Sequence, residues 1–192
     1  MFKQMRLLWT LLAGLTLMSG CSQSDGQSAS TTQEVLVIDG YTLPPDPGEA
    51  GKTTVLGIDS NDNGVRDDVE IWIYKKYQGQ HPIVKEIAMQ TGRAFQVILE
   101  HPENAKETYH VLNAAQFCGL YFLYDAIDNG EPQLINERIQ GDEFKEIQLN
   151  TKARVKAYME YDHLLSGGIY DLPSDLRQYC DFNITKILAV EE

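Results

Sequence analysis

The chain has 192 residues, 43% of them hydrophobic and 23% charged, which is too apolar for a disordered protein and fits one globular domain with an appendage. Its 28 acidic residues against 16 basic ones give a net charge of −12. A surface of that sign repels phosphate backbones, so no nucleic acid is expected among its partners, and it favours divalent cations only weakly and without specificity.

The first twenty residues read as an address rather than as structure. Lys3 and Arg6 give a short positive region, and residues 7–18 form an apolar run. That run is shorter than the roughly twenty residues a bilayer-spanning helix needs. It ends in "LMSGC", residues 17–21. This resembles the lipobox of bacterial lipoproteins, in which small residues precede a cysteine that is acylated and becomes the mature N-terminus. Ser19 and Gly20 match it, while Met18 stands where leucine is commonest. The resemblance implies that residues 1–20 are a signal peptide and that Cys21 is lipidated. Ser22 in place of an aspartate is similar to lipoproteins sorted to the outer membrane of Gram-negative cells. Acyl chains held at about 0.8 kcal/mol per buried methylene would then make the membrane a permanent partner. The alternative is an ordinary secretory signal that happens to contain a cysteine.

Beyond Cys21 the chain holds Cys118 and Cys180. An extracytoplasmic compartment permits a disulfide, and two such thiols most simply pair; the competing arrangement is two buried, unpaired cysteines in separate helices. Pairing would close a loop of about 62 residues and remove roughly 4 kcal/mol of unfolded-state entropy.

Residues 21–34, "CSQSDGQSASTTQE", are a polar tether, and its thirteen residues after the cysteine span on the order of 20 Å if flexible. Residues 35–56 read as an extended arm. In "VLVIDGYTL" the pair Asp39-Gly40 between two β-prone runs predicts a two-residue hairpin. "PPDPGEAGK", 44–52, predicts an extended connection, and "TTVL" a further extended piece. The helical domain is 57–192. Val69, Trp72, Ile73 and Tyr77 make one apolar stripe from Asp67 onward. Gly79 breaks it, and Pro82 suits the first turn of a second helix carrying Ile83, Ile87, Phe95 and Ile98. The stretch 105–126 is apolar on nearly every side and predicts the central buried helix. Two further helical stretches, 133–148 and 152–165, are separate or continuous, and "SGG" at 166–168 stops them. Pro173 and Ser174 open a last predicted helix carrying Cys180, Ile184, Ile187 and Leu188. The expected architecture is all-α, a bundle of five or six helices preceded by the arm, with the cysteine pair joining the central helix to the last one.

Between arm and bundle lies "DSNDNGVRDDVE", residues 59–70. Calcium takes six to eight oxygens, and a short loop supplies them only by wrapping around the ion. Wrapping needs oxygens at alternate positions, a glycine where the chain reverses and a long carboxylate arriving from the far side. Asp59, Asn61, Asn63, Gly64 and Glu70 meet every specified position of that pattern. The stretch resembles single EF-hand-like loops of the dockerin type. The resemblance implies Ca2+ held by the side chains of Asp59, Asn61 and Asn63, the backbone carbonyl of Val65, Asp67 directly or through water, and a bidentate Glu70. Arg66 stands where paired loops carry an aliphatic residue, and the incoming side is no helix, so a lone locking loop is expected rather than a sensor pair. With only three carboxylates the affinity falls at roughly 10⁻⁵–10⁻³ M. The competing account is a plain turn with an acidic helix start; it explains the acids from 67 to 70 but not the alternation at 59, 61 and 63. Magnesium fits less well, because it demands octahedral geometry.

Little else carries chemistry. His81, His101, His110 and His163 form no zinc-binding spacing. Glu160 and His163 stand one helical turn apart, a spacing that could orient an imidazole, though such pairs are common on solvated helix faces. The sequence therefore predicts a calcium-binding outer-membrane lipoprotein, a non-enzymatic module of the cell envelope that either holds another envelope protein or a surface polymer or serves as a structural or assembly part with no ligand but calcium. The rival expectation is an envelope hydrolase with its site near Glu160 and His163.

Overall fold

Residues 35–168 and 171–189 are described in the structure, a computed structural model. The leader and tether, with Cys21, lie outside the described residues. The arm begins with the predicted hairpin. Strand β1, Val37–Ile38, pairs antiparallel with β2, Tyr41–Thr42. Asp39 and Gly40 take φ of 50° and 78°, the left-handed pair that lets a two-residue turn follow the strand twist. The turn is tied down as well: the Asp39 carboxylate accepts from the Gly79 N–H at 2.9 Å and from Lys85 Nζ at 2.6 Å. Ile38 and Leu43 bury themselves against Ile71, and the Tyr41 ring stacks on Tyr74 with centroids 4.5 Å apart.

From Gly48 onward the backbone is not extended, contrary to what the prolines had suggested. Gly48–Lys52 is a 3-10 turn, and residues 53–56 are a series of bends without a strand partner. The carbonyls here are satisfied by side chains instead of a ladder. Arg154 donates to those of Gly51, Val55 and Thr54 at 2.6, 2.8 and 3.3 Å, and Gln96 donates to that of Leu56 at 3.0 Å.

The described residues hold six α-helices: α1 Asp67–Lys76, α2 Pro82–Glu100, α3 Ala105–Leu120, α4 Asp142–Gln148, α5 Lys152–Leu165 and α6 Ile184–Leu188. The all-α bundle is thus as expected. Pro82 occupies the first turn of α2, where its missing N–H is no loss, and His81 Nδ1 accepts from the Ile83 N–H at 3.1 Å. The centre of the bundle is α2, not α3. Thirteen of the nineteen residues of α2 are buried, because it packs against α1, α3, α5 and α6. In α3 only Ala105, Ala115 and Cys118 are buried. The core joins Val69 and Ile73 of α1, Ile87, Phe95 and Ile98 of α2, and Phe144 of α4.

Past α3 the helix widens into one π-turn, Tyr121–Asp125, closed by the Ala126 N–H on the Tyr121 carbonyl at 2.9 Å. The helix predicted over 133–148 is confined to α4. Before it the chain is irregular, plugging the core with Ile135 and Ile139 while Gln133 donates to the Leu123 carbonyl at 3.2 Å. Helix α5 starts anew, with the Thr151 hydroxyl accepting from the Arg154 N–H at 3.2 Å, so α4 and α5 are separate. The helix predicted from Pro173 is also absent. A 3-10 turn at Arg177–Tyr179 leads to an extended Cys180, and only then to α6. This strap is drawn onto α2 by Gln90, which donates to the Tyr179 carbonyl at 2.7 Å, and by Arg93, paired with Asp181 at 2.9 Å. The sulfurs of Cys118 and Cys180 are 1.99 Å apart, at bonding distance. The bond joins α3 to an extended strap rather than to a last helix.

Candidate metal centre

The loop at 59–70 is curled by two left-handed residues, Asp62 at φ 58° and Gly64 at φ 81°. Aspartate tolerates that region and glycine enters it freely. Asp59 organises the first half: one carboxylate oxygen accepts from the Asn63 N–H at 3.2 Å and the other from the Gly64 N–H at 2.8 Å. The Asn63 side-chain oxygen accepts from the Val65 N–H at 2.9 Å. Two contacts close the loop: the Ser60 N–H donates to Asp67 at 2.9 Å, and the Asp67 N–H to the Ile58 carbonyl at 2.8 Å.

Glu70 reaches back from the first turn of α1 into this curl, and it is fully buried. One of its oxygens, Oε2, accepts from the amides of Asn61 at 3.1 Å and Asn63 at 2.8 Å. The other, Oε1, is buried with no hydrogen-bond partner. No lysine or arginine among the described residues pairs with this carboxylate. Unpaired charged oxygens are costly to bury. An amide nitrogen and its oxygen exchange places by a half-turn of the side chain, so Asn61 and Asn63 can present either atom to the same point. Turned over, Asn61 offers a carbonyl oxygen facing Glu70, while Asn63 would do so only by giving up its bond from the Val65 N–H. A carbonyl oxygen beside a buried, unpartnered carboxylate oxygen is donor chemistry of the kind calcium takes.

Of the six expected ligands, the structure gathers Asn61, Asn63 and Glu70 at one point. Asp59 and Asp67 sit at the two ends of the loop with oxygens engaged by backbone N–H groups. Among the described residues, no three His, Cys, Asp or Glu side chains converge in the manner of a metal site. The Val65 side chain has a second role invisible in the motif. It is fully buried against Gly92 of α2, where an added Cβ would sit 2.9 Å from Val65 Cγ1.

Arg66, a departure from paired loops, turns out to be an anchor. Its buried guanidinium pairs with Asp68 at 2.8 Å and donates to the carbonyls of Gln148 at 3.1 Å and Ile147 at 2.9 Å. Asp68 also accepts from the Asn150 amide at 2.9 Å. Burial pushes the Asp68 carboxyl up, but the hydrogen bonds and charge of Arg66, with Asn150, outweigh it and hold Asp68 below the usual range. Arg154 lies beside this group and is lowered to about 10, by burial first and then by the Arg66 charge. Gly57 makes room for both arginines: at φ 69°, a Cβ there would stand 2.6 Å from Arg66 Cδ and 2.7 Å from an Arg154 nitrogen. Such buried cations were not legible, because their partners are carbonyls of distant segments.

The ring beside the site is Tyr41 of the hairpin. Burial raises its phenol pKa, and the charge of Glu70 raises it further. Trp72, only two residues past Glu70, packs instead edge-on to Phe144 and Tyr77, at 5.6 and 6.1 Å.

Glu160 and His163 are both exposed, and they line an open, mainly apolar depression with Val155 and Met159. No hydrogen bond joins the two. No family model, no curated protein and no solved structure matches this chain.

Proposed function

We propose that the chain is a lipid-anchored, calcium-binding and non-enzymatic module of the cell envelope, held to the outer membrane through Cys21 and presenting its helical domain to another envelope protein or a surface polymer. The observation that carries the calcium reading is the Glu70 carboxylate, fully buried with one oxygen lacking any partner at the centre of the loop. Asp59, Asn61, Asn63, Asp67 and Glu70, with the Val65 carbonyl, would hold the ion, and Gly64 would supply the turn. Bound calcium supplies the positive charge that this carboxylate lacks. The loop also ends in α1 and presses Val65 onto α2, so the ion's effect is to lock one end of the bundle rather than to open a groove. The depression at Glu160 and His163 is open and mainly apolar, a surface of the kind a binding module presents.

Calorimetric titration of the full chain with calcium tests the ion. Saturable heat that disappears in Asp59→Ala supports the reading, and no heat up to millimolar calcium removes it. Labelled palmitate incorporation, present in the wild type and lost in Cys21→Ser, tests the anchor separately.

A further inference from the structure

Away from the loop, the core contains a second feature that its packing does not use. A partly enclosed cavity of about 220 Å³ opens between α2, α3, α5 and the irregular segment before α4. One water needs only about 10–15 Å³ of such space. The floor is apolar: Ile87 and Phe95 from α2, Leu112 and Leu120 from α3, and Ile139. The rim is polar and of one sign. Arg138 and Lys145 stand there, and no carboxylate lines the cavity although the chain carries a net charge of −12. Neither cation has an ion-pair or hydrogen-bond partner among the described residues. Glu143, close to Lys145 in sequence, is taken up by Lys76 of α1.

Two further groups on the cavity wall add to this. Gln140 Nε2 is a buried donor with no acceptor. Tyr158, held by stacking on Phe95 at 5.9 Å, has no hydrogen-bond partner for its hydroxyl among the described residues. The Thr91 hydroxyl is already spent on the Ile87 carbonyl at 2.9 Å. At Gly119 the wall is open, since an added Cβ would touch only Ile87 Cγ2, at 3.6 Å. A chamber lined by both apolar and polar side chains, with idle donors on its wall, has the chemistry of a small-molecule site, and two cations with no anion select the sign of the ligand.

We propose that this cavity binds a small amphipathic carboxylate, its apolar body against Phe95, Leu112 and Ile139 and its carboxylate between Arg138 and Lys145, with the Gln140 amide as a further donor. The site is independent of the calcium loop and stands or falls without it.

The probe is 3-phenylpropionate, titrated into the full chain by calorimetry alongside its neutral amide and inorganic sulfate. The acid is expected to bind saturably, and at least about tenfold more tightly than the amide, as charge-assisted hydrogen bonds require. Replacing both rim cations, Arg138→Gln with Lys145→Gln, should abolish that preference; both are exposed, so the fold is retained. Gly119→Leu, which fills the chamber from α3, should abolish binding of acid and amide alike. The proposal is overturned if the acid shows no saturable binding by about 10 mM, if acid and amide bind equally, if sulfate binds as well as the acid, or if the double variant leaves the preference intact.

Discussion

Replacing Glu70 with glutamine separates the two accounts of the loop. In the structure the carboxylate is buried with one oxygen unpartnered, and a buried polar atom left so costs about 1–3 kcal/mol, more when charged. Glutamine keeps an oxygen for the Asn61 and Asn63 amides but drops the charge. Its amide nitrogen takes the unpartnered place, so only the cost of the charge is relieved, and in chelator Glu70→Gln should melt at or above the wild type. With calcium the order reverses. A dissociation constant of roughly 10⁻⁵–10⁻³ M and about 5 mM calcium give the wild type about 1–4 kcal/mol through mass action. For a chain of this size that is a rise of about 2–4 °C per kcal/mol. The variant, lacking the bidentate ligand, should not move. The assay is a pair of thermal melts per protein, with calcium and with chelator, and the signature is that the two proteins exchange rank. A wild-type melt indifferent to calcium would refute the reasoning, as would a variant destabilised equally in both conditions.

Calcium should also lower the Tyr41 pKa, because the part of its upward shift owed to Glu70 is cancelled by a bound dication; an alkaline difference titration of wild type against Tyr41→Phe, with and without calcium, reads this, and an unmoved midpoint argues against an ion at Glu70. The same ring, rather than Trp72, is the expected sensitiser of terbium luminescence, so Tyr41→Phe should dim the signal and Trp72→Phe leave it. Asp68 has a depressed folded pKa, so its pairing with Arg66 contributes above the ordinary value of 3.8 and fades as pH falls through the folded value. Asp68→Asn should accordingly be destabilised by roughly 2–3 kcal/mol near neutrality, with the gap to wild type closing in denaturant titrations below that pH. Gly57→Ala should lose about 2 kcal/mol or more, since it meets both a positive φ and the packed Arg66 and Arg154 side chains; an unchanged denaturation midpoint would contradict the packing described there.

The features readable in advance were those encoded within a few residues. Asp39-Gly40 specified its turn, Pro82 the first turn of α2, and the alternation at 59, 61 and 63 the curl of the loop with Glu70 reaching into it. What failed were inferences about which neighbours each element would meet. The run 105–126 is as apolar as a central helix should be, yet it is α2 that meets four other helices. Arg66 and Arg154 bond to carbonyls as many as 82 and 103 residues away in sequence, partners that no local pattern names. The Arg154 bonds take the place of a sheet for residues 51–55 of the arm, which bend instead of extending. The segments predicted from 133 and from Pro173 lost their helices to long-range partners, Ile139 plugging the core in one and Asp181 gripped by Arg93 in the other. Periodicity carries no information about such pairings.

The bond between Cys118 and Cys180 also makes the domain tolerant of being cut. Every exposed stretch between them, such as 127–130 or 166–168, lies inside the covalent ring, so a protease that nicks there opens a circle instead of releasing a fragment. Such a molecule should run as one intact band without reductant and as two pieces with it, and the piece carrying the final strap would stay attached to the rest of the protein.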